Sequence, residues 1–233
     1  MDGSGFMLSI AIERMKNNLQ TMKEEAEAQD WFKTGEAKLS TKMRGDQGLE
    51  KLSQNVIVFL ASYLDAKVGA IYLRDREKDL LKLAGTYAFT KKKKLNISFK
   101  PGESLLGQAV LEKQTIVVTE VPADYIQVRS GLGYAKPLNL LVVPLIIDEN
   151  VVGVIELGSF KKFTPLQLKF IKEVSENIAI AIQSAQSRKR VKELLEKTQK
   201  QAEELKNQQE ELRVTNEELQ AQQEELRVAN SFR

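Results

Sequence analysis

The sequence predicts an α+β fold: an antiparallel sheet flanked by helices, with long N- and C-terminal helices that form parallel dimeric coiled coils. Three observations carry this. "LNLLVVPLIID" and "NVVGVIELGSF" are two strand runs around the tight turn "DEN", a strong hairpin signal. Near the N-terminus Leu8, Ile12, Met15, Leu19, Met22 and Ala26 follow each other at spacings of 4-3-4-3-4, a heptad seam. Near the C-terminus Leu205, Leu212, Leu219 and Leu226 recur every seven residues.

The elements follow in order. Residues 1–7, opening "MDGSG", read as a cloning remnant, and the closing "SFR" as another. Residues 8–46 read as an N-terminal helix, otherwise made of Glu, Lys, Asn and Gln. Its 4-3 spacing favours self-association over packing on its own domain. A second short seam of Phe32, Leu39 and Met43 follows a phase shift near Gly35. "GLEKLSQNVIVFLASYLDA" (48–66) places Leu49, Leu52, Val56, Phe59, Leu60, Tyr63 and Leu64 on one helical face that turns to the core. "KVGAIYLRD" (67–75) and "LLKLAGTYAF" (80–89) read as strands joined by "REKD". "ISFKPGESLLGQAVLEKQ" (97–114) reads as a Pro-Gly turn leading into a short helix, and "TIVVTEV" (115–121) as another strand. The segment "PADYIQVRSGLGYAKP" (122–137) reads as irregular and is followed by the hairpin. "TPLQ" (164–167) opens a helix, with Thr164 as N-cap, Pro165 at the first helical position and Gln167 closing a capping box. Leu166, Phe170, Ile171, Val174, Ile178, Ala181 and Ile182 lie on one side of it.

No Gly or Pro interrupts the chain after Leu166, which permits one helix of about 60 residues, roughly 90 Å at 1.5 Å per residue. With Leu205, Leu212, Leu219 and Leu226 at d, position a holds Leu195, Ala202, Gln209, Asn216 and Gln223. The heptamer QQEELRV occurs at 208–214 and again at 222–228, two heptads apart. Polar amides at a make a seam that is weak per heptad but specific, because an Asn at a fixes register in a parallel dimer. A lone helix cannot bury the Leu row, and isolated helices are marginal in water. This points to a parallel homodimer along residues 184–233.

Composition narrows the chemistry. The hydrophobic fraction of 42% supplies one core, and the charged fraction of 29% fits long solvated helices. Net charge is +3, yet residues 201–230 carry eight Glu against one Lys and two Arg, a helix-surface pattern and not a nucleic-acid footprint. With no Cys there is no disulfide, thiolate metal site or thioether-linked chromophore. With no His the commonest general base, metal ligand and haem ligand are missing. The longest apolar runs, such as "LLVVPLII" (140–147), fall far short of the roughly 18 residues of a membrane span. No signal peptide is visible. "KKKK" (91–94) with Lys161 and Lys162 reads as a solvated loop, since no aromatic residues interleave as in a nucleic-acid surface.

The element order, with "PGESLLGQAV" in the middle and "VVPLIIDENVVGVIELGSFKKFTPLQLKFIKEVSENIAIAI" near the end, resembles a GAF domain over residues 47–183. The flanks "VPADYIQVRSGLGYAKPLNLLVVPL" and "QQEELRVTNEELQ" resemble the GAF segment of bacterial hybrid sensor histidine kinases. The resemblance implies a six-stranded antiparallel sheet with the first and last helices on one face and a pocket on the other. It implies that residues 8–46 are a signalling helix leaving a HAMP module, and that 184–233 is a signalling helix leading to a kinase core of the same parent chain, in a two-component phosphorelay. The phosphoacceptor His and the glycine-rich ATP motifs of that transferase are not in this sequence, so no kinase activity is expected of it. A cytoplasmic location, in a parent held at the inner membrane, is implied in the same way.

Within this frame the candidate site lies at 122–137 and its neighbours. Two glycines, Gly131 and Gly133, with Ser130 between Arg129 and Tyr134, permit close backbone approach, so exposed N–H groups plus Arg129 can hold an anion or carboxylate. Tyr87, Phe89, Tyr125 and Tyr134 offer aromatic walls. Glu156 is the one charge in "VVGVIEL" and either faces solvent or lines the pocket. The simpler alternative is a loop folded over the sheet, its glycines serving turns. Family cofactors are disfavoured residue by residue: bilin needs Cys and haem needs His. In the cyclic-nucleotide signature Phe163 fits, but Gly158 and Ser159 replace Asn-Lys and Gln167 stands about where Asp would be. An unidentified small molecule, or none, is expected. Three readings result: a sensory relay and dimerisation module, a structural spacer without ligand, or an enzyme. GAF-like folds include a methionine sulfoxide reductase, but that chemistry needs the cysteines this chain lacks.

Overall fold

The computed structural model describes residues 3–75, 77–88, 98–120, 128–130, 133–135 and 139–231. Contacts divide the chain into a unit of Met1–Ala185 and a unit of Gln186–Arg233. The first opens with helix α1 (Gly3–Met43), followed by α2 (Leu49–Tyr63) and strands β1 (Val68–Asp75), β2 (Leu80–Tyr87) and β3 (Ser98–Phe99). Then come α3 (Ser104–Glu112), β4 (Ile116–Thr119), β5 (Val128–Ser130), β6 (Gly133–Ala135), β7 (Asn139–Ile147) and β8 (Asn150–Ser159). Helix α4 (Pro165–Ser231) begins in the first unit and supplies the second.

The sheet is six-stranded and antiparallel, in the order β3-β2-β1-β8-β7-β4. Beside β1 stands the hairpin read from the sequence, β7–β8, where Asp148 and Glu149 both take positive φ (44° and 65°). That is the backbone a two-residue hairpin turn requires to match the strand twist. Two short strands, β5 and β6, form a separate ladder pairing Ser130 with Gly133 and Arg129 with Tyr134. The segment 122–137 therefore contains a hairpin where the sequence read as irregular.

Helices cover both faces, and alternation along each strand sorts the side chains between them. On one face Ile71, Leu73, Leu141, Val143, Leu145, Val152, Ile155 and Leu157 meet α2 and the start of α4. On the other, Ala70, Tyr72, Leu81, Val142 and Val154 meet Leu106, Ala109 and Val110 of α3. Gly107 lets α3 close on the Pro-Gly turn, since a Cβ there would lie 2.5 Å from the Lys100 carbonyl oxygen. The capping box at α4 forms as read: the Gln167 N–H donates to Thr164 Oγ1 (3.2 Å) and the Thr164 N–H to Gln167 Oε1 (2.9 Å). Gln167 Nε2 also donates to the Leu64 carbonyl (3.1 Å), tying the start of α4 to the end of α2.

Helix α1 departs from its sequence reading. It runs through Gly35 without a break. Leu39 is buried, and Trp31, Phe32 and Met43 pack on the helix-covered core. The second seam thus docks on the protein's own domain. Gly35 is required for contact: a Cβ there would stand 2.5 Å from Tyr63 Cε1 and 2.7 Å from Phe170 Cε2. The first seam stays outside, with Ile12, Met15, Leu19 and Met22 each 61–66% exposed. At about 100° per residue Phe32, Leu39 and Met43 lie roughly a third of a turn round the helix from the first row, and Trp31 with Phe32 about half a turn. In the second unit α4 exposes Leu195, Leu205, Leu212, Leu219 and Leu226 by 50–65%.

Candidate functional site

Glu156 is the residue that the fold singles out. In the ladder it stands between Ala70 of β1 and Val142 of β7, both on the face that α3 covers in part. Its neighbours in sequence, Ile155 and Leu157, point into the opposite core. The side chain keeps part of its surface open, yet it lies deep enough among apolar groups that burial pushes the carboxyl up to about 7. Among the described residues it has no hydrogen-bonding or charged partner. An unpartnered carboxyl on an apolar sheet face can accept hydrogen bonds when ionised and donate one when protonated.

Among the described residues, one other candidate can be placed against it, and it lies elsewhere. Tyr87 pairs with Gly69 and packs on the helix-covered core, on the opposite face from Glu156. A β-bulge is the cause. Tyr72 pairs with Leu83 but Ile71 pairs with Gly85, so Ala84 is an extra residue in β2. Beyond it the alternation is reversed and Tyr87 turns to the helices. Arg129, Ser130, Gly133 and Tyr134 have backbone positions in β5 and β6, where the Ser130–Gly133 and Arg129–Tyr134 pairs engage the segment in a ladder. Their side chains, and Phe89, Tyr125 and Gly131 entirely, lie outside the described residues, as does "KKKK" (91–94). Lys161 sits 3.4 Å from the Asp65 carboxylate. Hydrogen bonding by Lys67 above all, with Lys161, holds Asp65 below the usual carboxylate range.

The helix side carries a second constellation, which sequence reasoning missed. Trp31 stacks on Tyr63 (4.7 Å between centroids) and meets Phe170 edge-on (5.3 Å), while Phe32 meets Phe170 edge-on at 5.4 Å. The Tyr63 hydroxyl donates to the Trp31 carbonyl. Lys169 Nζ lies 5.9 Å from the Phe32 centroid. Beside it an open groove of about 330 Å³ runs between Phe32 and Lys33 of α1 and Leu166 and Glu173 of α4. The signal was present in the sequence as "WF" three residues before Gly35.

The family model for the GAF domain matches residues 46–183. The chain belongs to the GAF domain family. Known structures repeat the fold. The GAF domain of a phosphoenolpyruvate-protein phosphotransferase (ptsP) from Coxiella burnetii is 20% identical, covering 69% of this chain and 97% of that one, with a TM-score of 0.58. A free methionine-R-sulfoxide reductase from Neisseria meningitidis, solved with its substrate, is 19% identical over 70% of this chain and 93% of that one, with a TM-score of 0.54. The A. aeolicus nlh2 GAF domain in an inactive state is 21% identical over 67% and 98%, with a TM-score of 0.53. No curated protein matches the chain. GAF domains are in general regulatory. Among the described residues no helix is long and apolar enough to cross a membrane.

Proposed function

We propose that this GAF chain is the sensory relay and dimerisation module of a sensor histidine kinase, non-catalytic in itself. It passes a change from its N-terminal helix, or from a small molecule on the Glu156 face, to a kinase core through a parallel homodimeric coiled coil. On this reading it works in the cytoplasm without bilin, haem or cyclic nucleotide, and its partners are its own second copy and the kinase core, not nucleic acid or membrane. The observation that carries it is the row Leu205, Leu212, Leu219 and Leu226, exposed in one chain and spaced every seven residues. Burying an exposed Leu contributes about 1.5–3 kcal/mol, so such a row finds a partner helix. A parallel mate places Gln209, Asn216 and Gln223 against their own copies, where amides satisfy one another.

Native mass spectrometry tests this. A dimer is expected, and Leu212→Ala with Leu219→Ala should convert it to monomer. A wild-type monomer at tens of micromolar refutes the dimeric relay. Extra non-covalent mass on the dimer would put a size on the ligand. In the parent kinase, Gln209, Asn216 and Gln223 changed to Ile should lock the output; unchanged regulation would leave only a structural spacer.

A further inference from the structure

We propose that α1 acts on α4 directly, through the aromatic joint of Trp31, Phe32, Tyr63 and Phe170, without passing through the sheet face that holds Glu156. The proposal rests on the relay reading only in taking α4 as the output element.

Four observations carry it. Phe170 is fully buried and lies within the first two turns of α4. Two successive residues of α1, Trp31 and Phe32, both reach its ring. Gly35 leaves no space between α1 and the rings of Tyr63 and Phe170, so α1 cannot roll without displacing them. Close-packed cores move between discrete arrangements and do not compress. Finally, α4 is held at the same end by Gln167 on Leu64, the residue following α2, whose Tyr63 bonds the Trp31 carbonyl. The end of α2 and the start of α4 are thus one assembly against which α1 is pressed.

The outward row Ile12, Met15, Leu19 and Met22 is about half a turn away from this joint. A torque applied along that row reaches Gly35 through continuous helix. A ligand beside Glu156 has no such access: it stands on the far side of the sheet, and Ile155 and Leu157 intervene.

Hydrogen exchange of the whole 233-residue chain tests the joint, with Gly35→Ala as the perturbation. The new Cβ should loosen docking, with amides of 28–43 exchanging about tenfold faster, the factor that 1.4 kcal/mol gives. The expected result is that amides of 169–178 accelerate with them, while β1 and β8 hold their rates. Faster exchange in α1 with 169–178 unchanged overturns the proposal, and so does no change in α1. Should Gly35→Ala loosen every segment, Phe32→Leu, which keeps an apolar side chain but removes the ring contact, is read by the same criterion. Native mass of the same samples separates the two ideas. A monomer with coupled exchange sinks the dimeric relay and leaves the joint; a dimer with uncoupled exchange does the reverse.

Discussion

Replacing Glu156 by Gln should change how stability depends on pH, and the sign is fixed by the direction of its pKa. Burial raises the folded carboxyl to about 7 from an ordinary value of 4.5. Between those two values the folded state holds a proton that the unfolded chain has lost. Stability therefore falls as pH rises through that window and levels off above pH 7. The gap of 2.5 pH units (7 less 4.5) corresponds to a loss of about 3 kcal/mol at roughly 1.4 kcal/mol per unit. The assay is urea unfolding followed by Trp31 fluorescence, from pH 4.5 to 8, on wild type and Glu156→Gln. The difference between the two isolates this group from exposed carboxylates such as Asp75, which its hydrogen bond from Lys82 (2.6 Å) holds low. The two proteins should match near pH 4.5, and the Gln variant should be more stable by about 3 kcal/mol at pH 8. A wild-type protein of constant stability relative to Glu156→Gln across the window refutes the reasoning.

Two further outcomes follow from local geometry. Thr164→Ala removes the cap acceptor for the Gln167 N–H and should cost about 1 kcal/mol, lowering Tm by about 2–4 °C. Gly107→Ala forces a Cβ against the Lys100 carbonyl. It should lower the urea midpoint by the equivalent of about 1–3 kcal/mol while far-UV circular dichroism keeps its shape.

The parts of this fold that local chemistry specifies were legible. "TPLQ" contains its own cap, and "DEN" between two apolar runs allows little but a hairpin. Periodicity placed Leu52, Val56 and Leu60 inward on α2, and Phe170, Ile171 and Val174 inward on α4. What failed depends on contacts distant in sequence. Gly35 reads only as the place where the seam changes phase until Tyr63 and Phe170 are seen against it. Tyr87 reads as an aromatic wall of the pocket until the bulge at Ala84 turns it to the other face. Glu156 was readable as an anomaly, but its depth among apolar groups was not, because that is a property of neighbouring strands.

Helix α1 carries two apolar rows with different owners. Substitutions along Trp31, Phe32 and Leu39 are judged by the protein's own core, whereas those along Ile12, Met15, Leu19 and Met22 leave that core untouched. Mutation can therefore redraw the outward row at little risk to folding. Descendants of one such gene could diverge along that surface long before they diverge in shape.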